Sequence, residues 1–400
     1  MFTRAHPKPK GSILLLGPRG VGKSTWIQQN FPKVPTYDLL NSREAISLLG
    51  HPDRLYDETK TLPTGSWVVI DEVQKVPALM DEVHRLIEKH KLNFILSGSS
   101  ARKLKKGSAN LLAGRAIFSP LFPLVSHEVG ATIQLQKVCS YGMLPKAYLA
   151  ESPQEAQDYL DTYVNAYLQE EIKGEALTRN LAGFARFLEI AARQNAQITN
   201  ISNISKDAMV ARLTVQGYFE ILCDTMLGSW LQPWKLRSGN KQVLSPKFYF
   251  FDSGVARAMT GRLAYPPTPD ELGFLFETYI FHEVKTYLSY SRLKYNLYYW
   301  RSYDDVEVDL ICETKKGFVA IEIKSTDRWE KRFHMGFARL KADMKSKLTE
   351  CYGVFTGDRA SSLENIKILP FNQFLKNFGM ERLFRSCIIS STHSYSPPHL

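Results

Sequence analysis

Nine consecutive residues, Gly17, Pro18, Arg19, Gly20, Val21, Gly22, Lys23, Ser24 and Thr25, have the make-up of a loop that wraps phosphate. Glycines let backbone N–H groups crowd around anionic oxygens. Lys23 supplies a cation for the β- and γ-phosphates and for the charge that moves when they are cleaved, and the Ser24 hydroxyl can hold Mg²⁺. The apolar run Ile13–Leu16 precedes the loop and Trp26–Asn30 can continue it as a helix. Strand, loop and helix in that order put the positive end of a helix behind the phosphates.

Val68-Val69-Ile70 is a buried-type strand that runs into two carboxylates, Asp71 and Glu72. Beside a phosphate loop, Asp71 is placed to support Mg²⁺ and Glu72 to polarise the attacking water. Without the loop, the pair reads equally well as a polar strand end. Ser97 follows the apolar run Phe94–Leu96 and is a candidate sensor of the γ-phosphate or the water; a turn of small polar residues, Ser97–Ser100, is the plainer reading. Arg115 is a candidate arginine finger. Acting across a subunit boundary it requires a homo-oligomer; acting within the chain it does not. Arg102, Lys103, Lys105 and Lys106 form a basic loop, either solvated or set against a phosphate backbone. No Asn-Lys-x-Asp guanine-reading motif occurs, so ATP with Mg²⁺ is the expected pair of cofactors.

A second constellation lies further along. Glu307–Ile311 and Phe318–Lys324 alternate as strands do. Val319, Ile321 and Ile323 share one face; Ala320, Glu322 and Lys324 share the other. If the two strands pair, Asp309, Glu322 and Lys324 converge. Two carboxylates there can hold a hard divalent cation through oxygen ligands. Such an ion polarises a phosphodiester, and Lys324 can stabilise the developing charge. Glu277 or Glu283, within the helical stretch Gly273–Ser289, can complete the set. A wet polar strand face is the alternative. The stretch Lys324–Glu350 carries eight Lys/Arg against four Asp/Glu, which suits a nucleic-acid phosphate track or a solvated helix. His282-Glu283 lacks the second histidine of a zinc-protease helix.

These groups need a scaffold. Residues 12–125 alternate short apolar strands with helical patterns such as Leu79–His90, which predicts a parallel sheet covered by helices. The phosphate loop then lies at the carboxyl ends of the strands. Pro153–Ile172 is helical, with Tyr159, Tyr163, Tyr167 and Leu168 recurring as a core stripe. Helices at Phe184–Arg193, Asn203–Leu213 and Thr214–Leu227, the last capped by Thr214, precede strands at Trp230–Leu236 and Lys247–Phe251. Three helices and a ribbon describe a winged helix. Its reading face offers Gln216, Glu220 and Asp224, with cations confined to Arg212 and the wing residues Lys235, Arg237, Lys241 and Lys247. Structural packing or wing-only backbone contact fits better than sequence reading. Tyr265–Asp270 is a Pro-rich break or linker.

The whole reads as an α/β chain. A phosphate-loop core spans 1–125, a helical lid or connector 126–177, a winged-helix-like unit 178–264, an α/β unit 265–378 and a tail 379–400. A net charge of +11 favours acidic partners, DNA above a membrane surface. Five scattered cysteines, with no CxxC pair, suggest neither zinc nor disulfides and fit a reducing cytoplasm. No apolar run is long enough to span a bilayer, and Met1–Lys10 lacks a signal-type apolar region.

GPRGVGKST, VVIDEVQKVP (Val68–Pro77), ILSGSSARKL (Ile95–Leu104), LLAGRA (Leu111–Ala116), SPLFPL (Ser119–Leu124), SPKFYFFDSGVARAMTG (Ser245–Gly261), WRSYDDVEVDLI (Trp300–Ile311) and AIEIKS (Ala320–Ser325) together resemble a known family. It is that of prokaryotic AAA-type ATPases with a C-terminal domain of unknown function, a winged helix followed by a restriction-endonuclease-like domain. The likeness spans about Gly11–Leu375. It implies an ATP-binding, ATP-hydrolysing domain joined to a DNA-interaction module. Gly22, Lys23, Ser24, Thr25, Asp71 and Glu72 match its nucleotide positions, and Asp309, Glu322 and Lys324 its endonuclease-like triad. Two functions follow as expectations: DNA processing driven by ATP, or a nucleotide-dependent switch that binds DNA or a protein partner without cutting.

Overall fold

The computed structural model describes residues 2–100, 114–130, 133–168, 180–235, 245–344 and 347–376. The basic loop at 101–106, the wing cations Arg237 and Lys241, and the tail lie outside the described residues.

The first sheet has five parallel strands in the order β2-β3-β4-β1-β5: β1 Ile13–Leu16, β2 Thr36–Asp38, β3 Trp67–Asp71, β4 Asn93–Gly98 and β5 Ile117–Pro120. Side-chain alternation divides its two faces. Val69 and Ile95 join Trp26 and Ile27 of helix α1 (Lys23–Asn30) in one core. Val68, Ile70, Phe94 and Leu96 face the other core, with Leu79, Val83 and Leu86 of α4 (Leu79–His90). Helices α2 (Ser42–Gly50) and α3 (Asp53–Thr59) precede α4 and add Leu48 and Leu55 to that core. Asp81 and Glu82 at the start of α4, and Lys89 and His90 at its end, match the helix dipole. Burial on both faces explains why β3 and β4 are continuous apolar runs rather than alternating ones.

The next segment is helical. Helix Pro153–Thr162 starts from the Ser152 cap and passes into a wide turn, Tyr163–Leu168. Helices Leu181–Arg193, Ile201–Ala208 and Arg212–Asp224 then pack through Phe184, Phe187, Ile204, Tyr218 and Phe219. The cap of the last is Ala211, and Thr214 lies inside the first turn, so the cap expected at Thr214 is displaced by three residues. The chain can start earlier because Arg212 and Leu213 are good helix formers.

β6 (Gly228–Pro233) and β7 (Lys247–Phe250) form the expected antiparallel pair. They do not stand apart as a wing. Gln232 and Pro233 of β6 pair in parallel with Tyr298 and Tyr299 of β8 (Asn296–Arg301). The ribbon is thereby one end of an eight-stranded sheet, order β12-β13-β11-β10-β9-β8-β6-β7, with β9 Glu307–Thr314, β10 Gly317–Lys324, β11 Leu348–Phe355, β12 Ser361–Leu363 and β13 Ile366–Pro370. The sheet therefore crosses the boundary that the sequence places near residue 265. The Pro-rich break is likewise structured: Thr268 caps the 22-residue helix Pro269–Tyr290 in a capping box with Glu271. Buried Arg257 gathers the carbonyls of Arg262 and Tyr265 and the Glu271 carboxylate.

Asp252 shows how tightly these parts fit. It caps helix Ser253–Met259 by accepting from Val255 N and, across the chain, accepts from Met143 N at 2.6 Å. Gly142 passes beside it at φ +74°, where a Cβ would lie 2.0 Å from Asp252 Oδ1. Gly142→Ala combines a strained φ with a clash against a buried carboxylate. It should lower unfolding free energy by about 2–4 kcal/mol, measured by urea titration; a loss inside 0.5 kcal/mol would mean the clash is relieved at no cost.

Candidate functional site

The phosphate loop leaves β1 at Gly17 and enters α1 at Lys23. Gly20 and Gly22 adopt left-handed φ of 83° and 96°, which close the turn without a Cβ penalty. A Cβ on Gly17 would lie 2.2 Å from Leu121 O. Lys23 is buried, and its Nζ donates to Gly17 O at 2.7 Å and Pro18 O at 3.2 Å. The loop is also held from outside. Tyr163 Oη donates to Arg19 O, Arg4 donates to Val21 O, and the Tyr159 hydroxyl lies where a Gly20 Cβ would project. Pro18 is buried, while Arg19, Ser24 and Thr25 are exposed.

Asp71 ends β3 and receives two hydroxyls. Ser24 Oγ donates to Oδ2 at 3.0 Å, and Ser97 Oγ donates to Oδ1. Ser97 reaches it because β4 lies between β1 and β3 in the sheet. The sequence thus leads to three residues of the expected site that the fold joins directly. Glu72 stands at φ 58°, uncommon for a residue with a Cβ. Gln74 Nε2 donates to its carboxylate and to Ser99 Oγ at 3.3 Å. Gly98 makes room for this, since a Cβ there would meet Gln74 Oε1 at 2.4 Å. Gln74 and Gly98 were not singled out by sequence reasoning; neither residue type signals a role until strands β3 and β4 are side by side. Arg115 is elsewhere. It precedes β5, whose Ile117 is level with Ile13 at the amino end of β1, and it pairs with Glu88 at 2.5 Å. The loop is at the opposite end of the strands, so Arg115 does not serve its own chain's loop in this arrangement.

The second constellation also assembles. β9 and β10 run antiparallel, with the ladder ending at Ile321–Leu310. Beyond it Asp309 Oδ2 accepts from Ile323 N at 2.7 Å. Lys324 Nζ lies 2.5 Å from Glu322 Oε1 and 3.6 Å from Asp309 Oδ2. Among the described residues, buried Glu322 Oε2 has no hydrogen-bond partner. Glu277 joins this group and Glu283 does not. Glu283 accepts from Ser126 N at 2.7 Å and Ser126 Oγ at 3.1 Å, which ties the long helix to the connector.

Lys247 overturns its reading as a wing cation. It is buried at 3% exposure, with Nζ 2.8 Å from Glu277 Oε1 and 2.5 Å from Glu307 Oε1. Tyr249 Oη also donates to Glu277. Burial opposes its charge, but Glu277, Tyr249 and Glu307 outweigh that and hold it protonated. Burial, with Asp309 close by, pushes Glu322 well above the usual carboxylate range. Burial likewise raises Glu277 to about 7. Four carboxylates, Glu277, Glu307, Asp309 and Glu322, face two ammonium groups, Lys247 and Lys324, and the guanidinium of Arg301, 3.9 Å from Glu307. Raised pKa values are how the fold limits the negative surplus.

With this geometry in view, the comparisons with known proteins are specific. Residues 9–130 match a family model described as an AAA domain. That match covers the first third of the chain, the part that carries the phosphate loop. Residues 132–265 and 272–374 match two models described as domains of unknown function, DUF8612 and DUF4143. Uncharacterised proteins of Mycobacterium tuberculosis and Mycobacterium bovis are each 28% identical over 322 residues, 78% of this chain and 70% of theirs. Among solved structures, the Aeropyrum pernix ORC1 protein in complex with DNA overlaps at TM-score 0.29 and 12% identity, over 64% of this chain and 87% of that one. Can2 of Sulfobacillus thermosulfidooxidans, in complex with cyclic tetra-adenylate, overlaps at TM-score 0.20 and 12% identity, over 94% and 97%. Overlaps this low carry no argument here. Among the described residues, no helix is long and apolar enough to cross a membrane.

Removing Lys247 should leave Glu277 and Glu307 without their cation. Lys247→Met is expected to cost about 3–5 kcal/mol of unfolding free energy. Adding Glu277→Gln should restore part of that loss, and simple additivity in the double-mutant cycle would show that the two groups are not coupled. Glu283 generates a pH test. Burial raises its pKa to about 7 from 4.5, so folding favours its protonated form. That contribution is complete below the unfolded value and is lost as pH rises through about 7. Glu283→Gln should therefore gain Tm relative to the parent as pH goes from 5 to 8; a constant difference across that range counts against the assignment.

Proposed function

We propose that the protein binds and hydrolyses ATP with Mg²⁺ and acts on DNA through a metal-dependent phosphodiester-cleaving site in its last unit. The observation that carries the ATP reading is the meeting of Ser24, Ser97 and Asp71 beside a loop that already buries Lys23. Lys23 leaves its loop carbonyls for the β- and γ-phosphates. Backbone N–H groups of the loop, Pro18 having none, bind the same oxygens. Ser24 and Asp71 would hold Mg²⁺, which would supply charge neutralisation at the phosphates. Glu72, steadied by Gln74, orients the attacking water, and Ser97 positions Asp71.

Asp309 and Glu322 fit a divalent cation: they are buried oxygen donors, and Glu322 Oε2 lacks a hydrogen-bond partner among the described residues. A cation bound there supplies Lewis-acid stabilisation of a phosphodiester. Lys324 holds positive charge where phosphate charge develops, because Asp309 and Glu322 outweigh the burial that opposes it. A second reading, a nucleotide-dependent switch without cleavage, is favoured by Lys247. Its ammonium already neutralises part of the acid cluster, and it comes from the ribbon that joins the helical unit to the sheet.

Lys23→Ala should abolish ATP binding, and Glu72→Gln should bind ATP but lose at least about a hundredfold in turnover, a scale set by losses at catalytic proton-transfer groups. Unchanged hydrolysis by Lys23→Ala would remove the loop from the mechanism. For the second site, Glu322→Ala and Lys324→Ala should each abolish Mg²⁺- or Mn²⁺-dependent cleavage of DNA while sparing ATP turnover. If the parent protein cuts neither single- nor double-stranded DNA with either metal, with or without ATP, the switch reading replaces the nuclease.

A further inference from the structure

A cavity of about 400 Å³ lies between the phosphate-loop domain, strands β6 and β7, and the long helix. Its walls are Phe122, Trp230, Phe250, Phe251 and Phe281, and Pro18 of the phosphate loop borders it. One cation faces this aromatic lining. Lys285 Nζ donates to Ser229 Oγ at 2.9 Å and sits 5.7 Å from the ring centre of Phe122 and 5.9 Å from that of Phe281. Among the described residues no carboxylate pairs with it. Lys285 is half-buried, and a lysine set against aromatic rings in this way is commonly matched by an acid. Lys247, on the neighbouring strand, has two.

We propose that this cavity is a binding site for an apolar monocarboxylate, whose body fills the aromatic chamber and whose carboxylate pairs with Lys285. The chamber is large enough for a bicyclic ring system and lies in the size range of small-molecule sites. One ammonium with one hydroxyl suits a single negative charge carried by two oxygens. Ser229 accepts from Lys285 and keeps its own O–H to donate to the second oxygen. A phosphate dianion would leave charge unmatched against apolar walls.

The other titratable groups on the cavity are Cys223, from helix Arg212–Asp224, and His282, from the long helix itself. His282 is held neutral, since burial lowers it to about 4 and outweighs the opposing hydrogen bond between its Nε2 and Leu124 O. Burial also lowers Lys285 to about 8, so its charge is largely lost by pH 9. A bound carboxylate would restore it.

The test uses 1-naphthoate as probe on the full chain, read by calorimetry and by Trp230 fluorescence. Saturable binding is expected at pH 7, about tenfold weaker at pH 9, where a group with pKa about 8 has lost nine-tenths of its protons. Cys223→Ser should keep that slope. Lys285→Met should lose at least tenfold in affinity at pH 7, and the neutral 1-naphthalenemethanol should bind the parent protein weakly and without pH dependence. Absence of saturable binding at pH 7, affinity of Lys285→Met within twofold of the parent, or equal binding of the alcohol overturns the proposal. If Lys285→Met fails to fold, the slope between pH 7 and 9 in the parent and in Cys223→Ser decides it, a flat profile being fatal.

Discussion

Lys247 is a buried cation at the point where the helical unit, the long helix and the eight-stranded sheet meet. Its two ion pairs, to Glu277 and Glu307, link three elements that are distant in sequence. A charge at this depth is tolerable only with matched partners. The ribbon must therefore dock with Lys247 facing the acid cluster. The parallel pairing of β6 with β8 follows from the same docking. An unattached wing would expose the ribbon to solvent; here it closes one end of a sheet whose inner face is covered by Phe276, Ile280 and Val284 of the long helix.

The same arrangement gives the acid cluster its chemistry. Carboxylates crowded in a buried site resist ionising together, so protons or cations must accompany them. Glu322 and Glu277 show this as raised pKa values. Any divalent ion that binds Asp309 and Glu322 competes with those protons. Lys247 ties this acid cluster to the ribbon, and the ribbon continues from helices that share a core with the phosphate-loop domain.

Contact with the nucleotide loop is equally indirect and equally physical. The loop's own glycines make it pliable, yet Tyr163, Arg4 and the wall at Leu121 constrain it from three sides. Tyr163 belongs to the connector and Arg4 to the segment before β1. Arg4 also meets Glu128 at 2.9 Å, both groups being buried. The connector thus holds the carbonyl of Arg19 inside the loop.

Local chemistry made much of this legible in the amino-acid sequence. The phosphate loop, Asp71 and Glu72 could be named because a loop that binds phosphate needs closely spaced glycines, a lysine and a hydroxyl, and because strand character is a short-range property. The helix Leu79–His90 and the strand Gly317–Lys324 were readable for the same reason, as was the shared face of Glu322 and Lys324. What the sequence could not decide was long-range. Lys247 looks like a surface cation until β7 is paired and Glu277 comes to meet it. Glu277 and Glu283 are alike in their helix, and only rotation about the helix axis against the sheet sends one to the acid cluster and the other to Ser126. Arg115 resembles a finger, but strand register puts it at the end of the sheet away from its own chain's loop. Residue type and spacing specify what a side chain can do; burial, register and partners, which depend on residues far away in the chain, decide whether it does so.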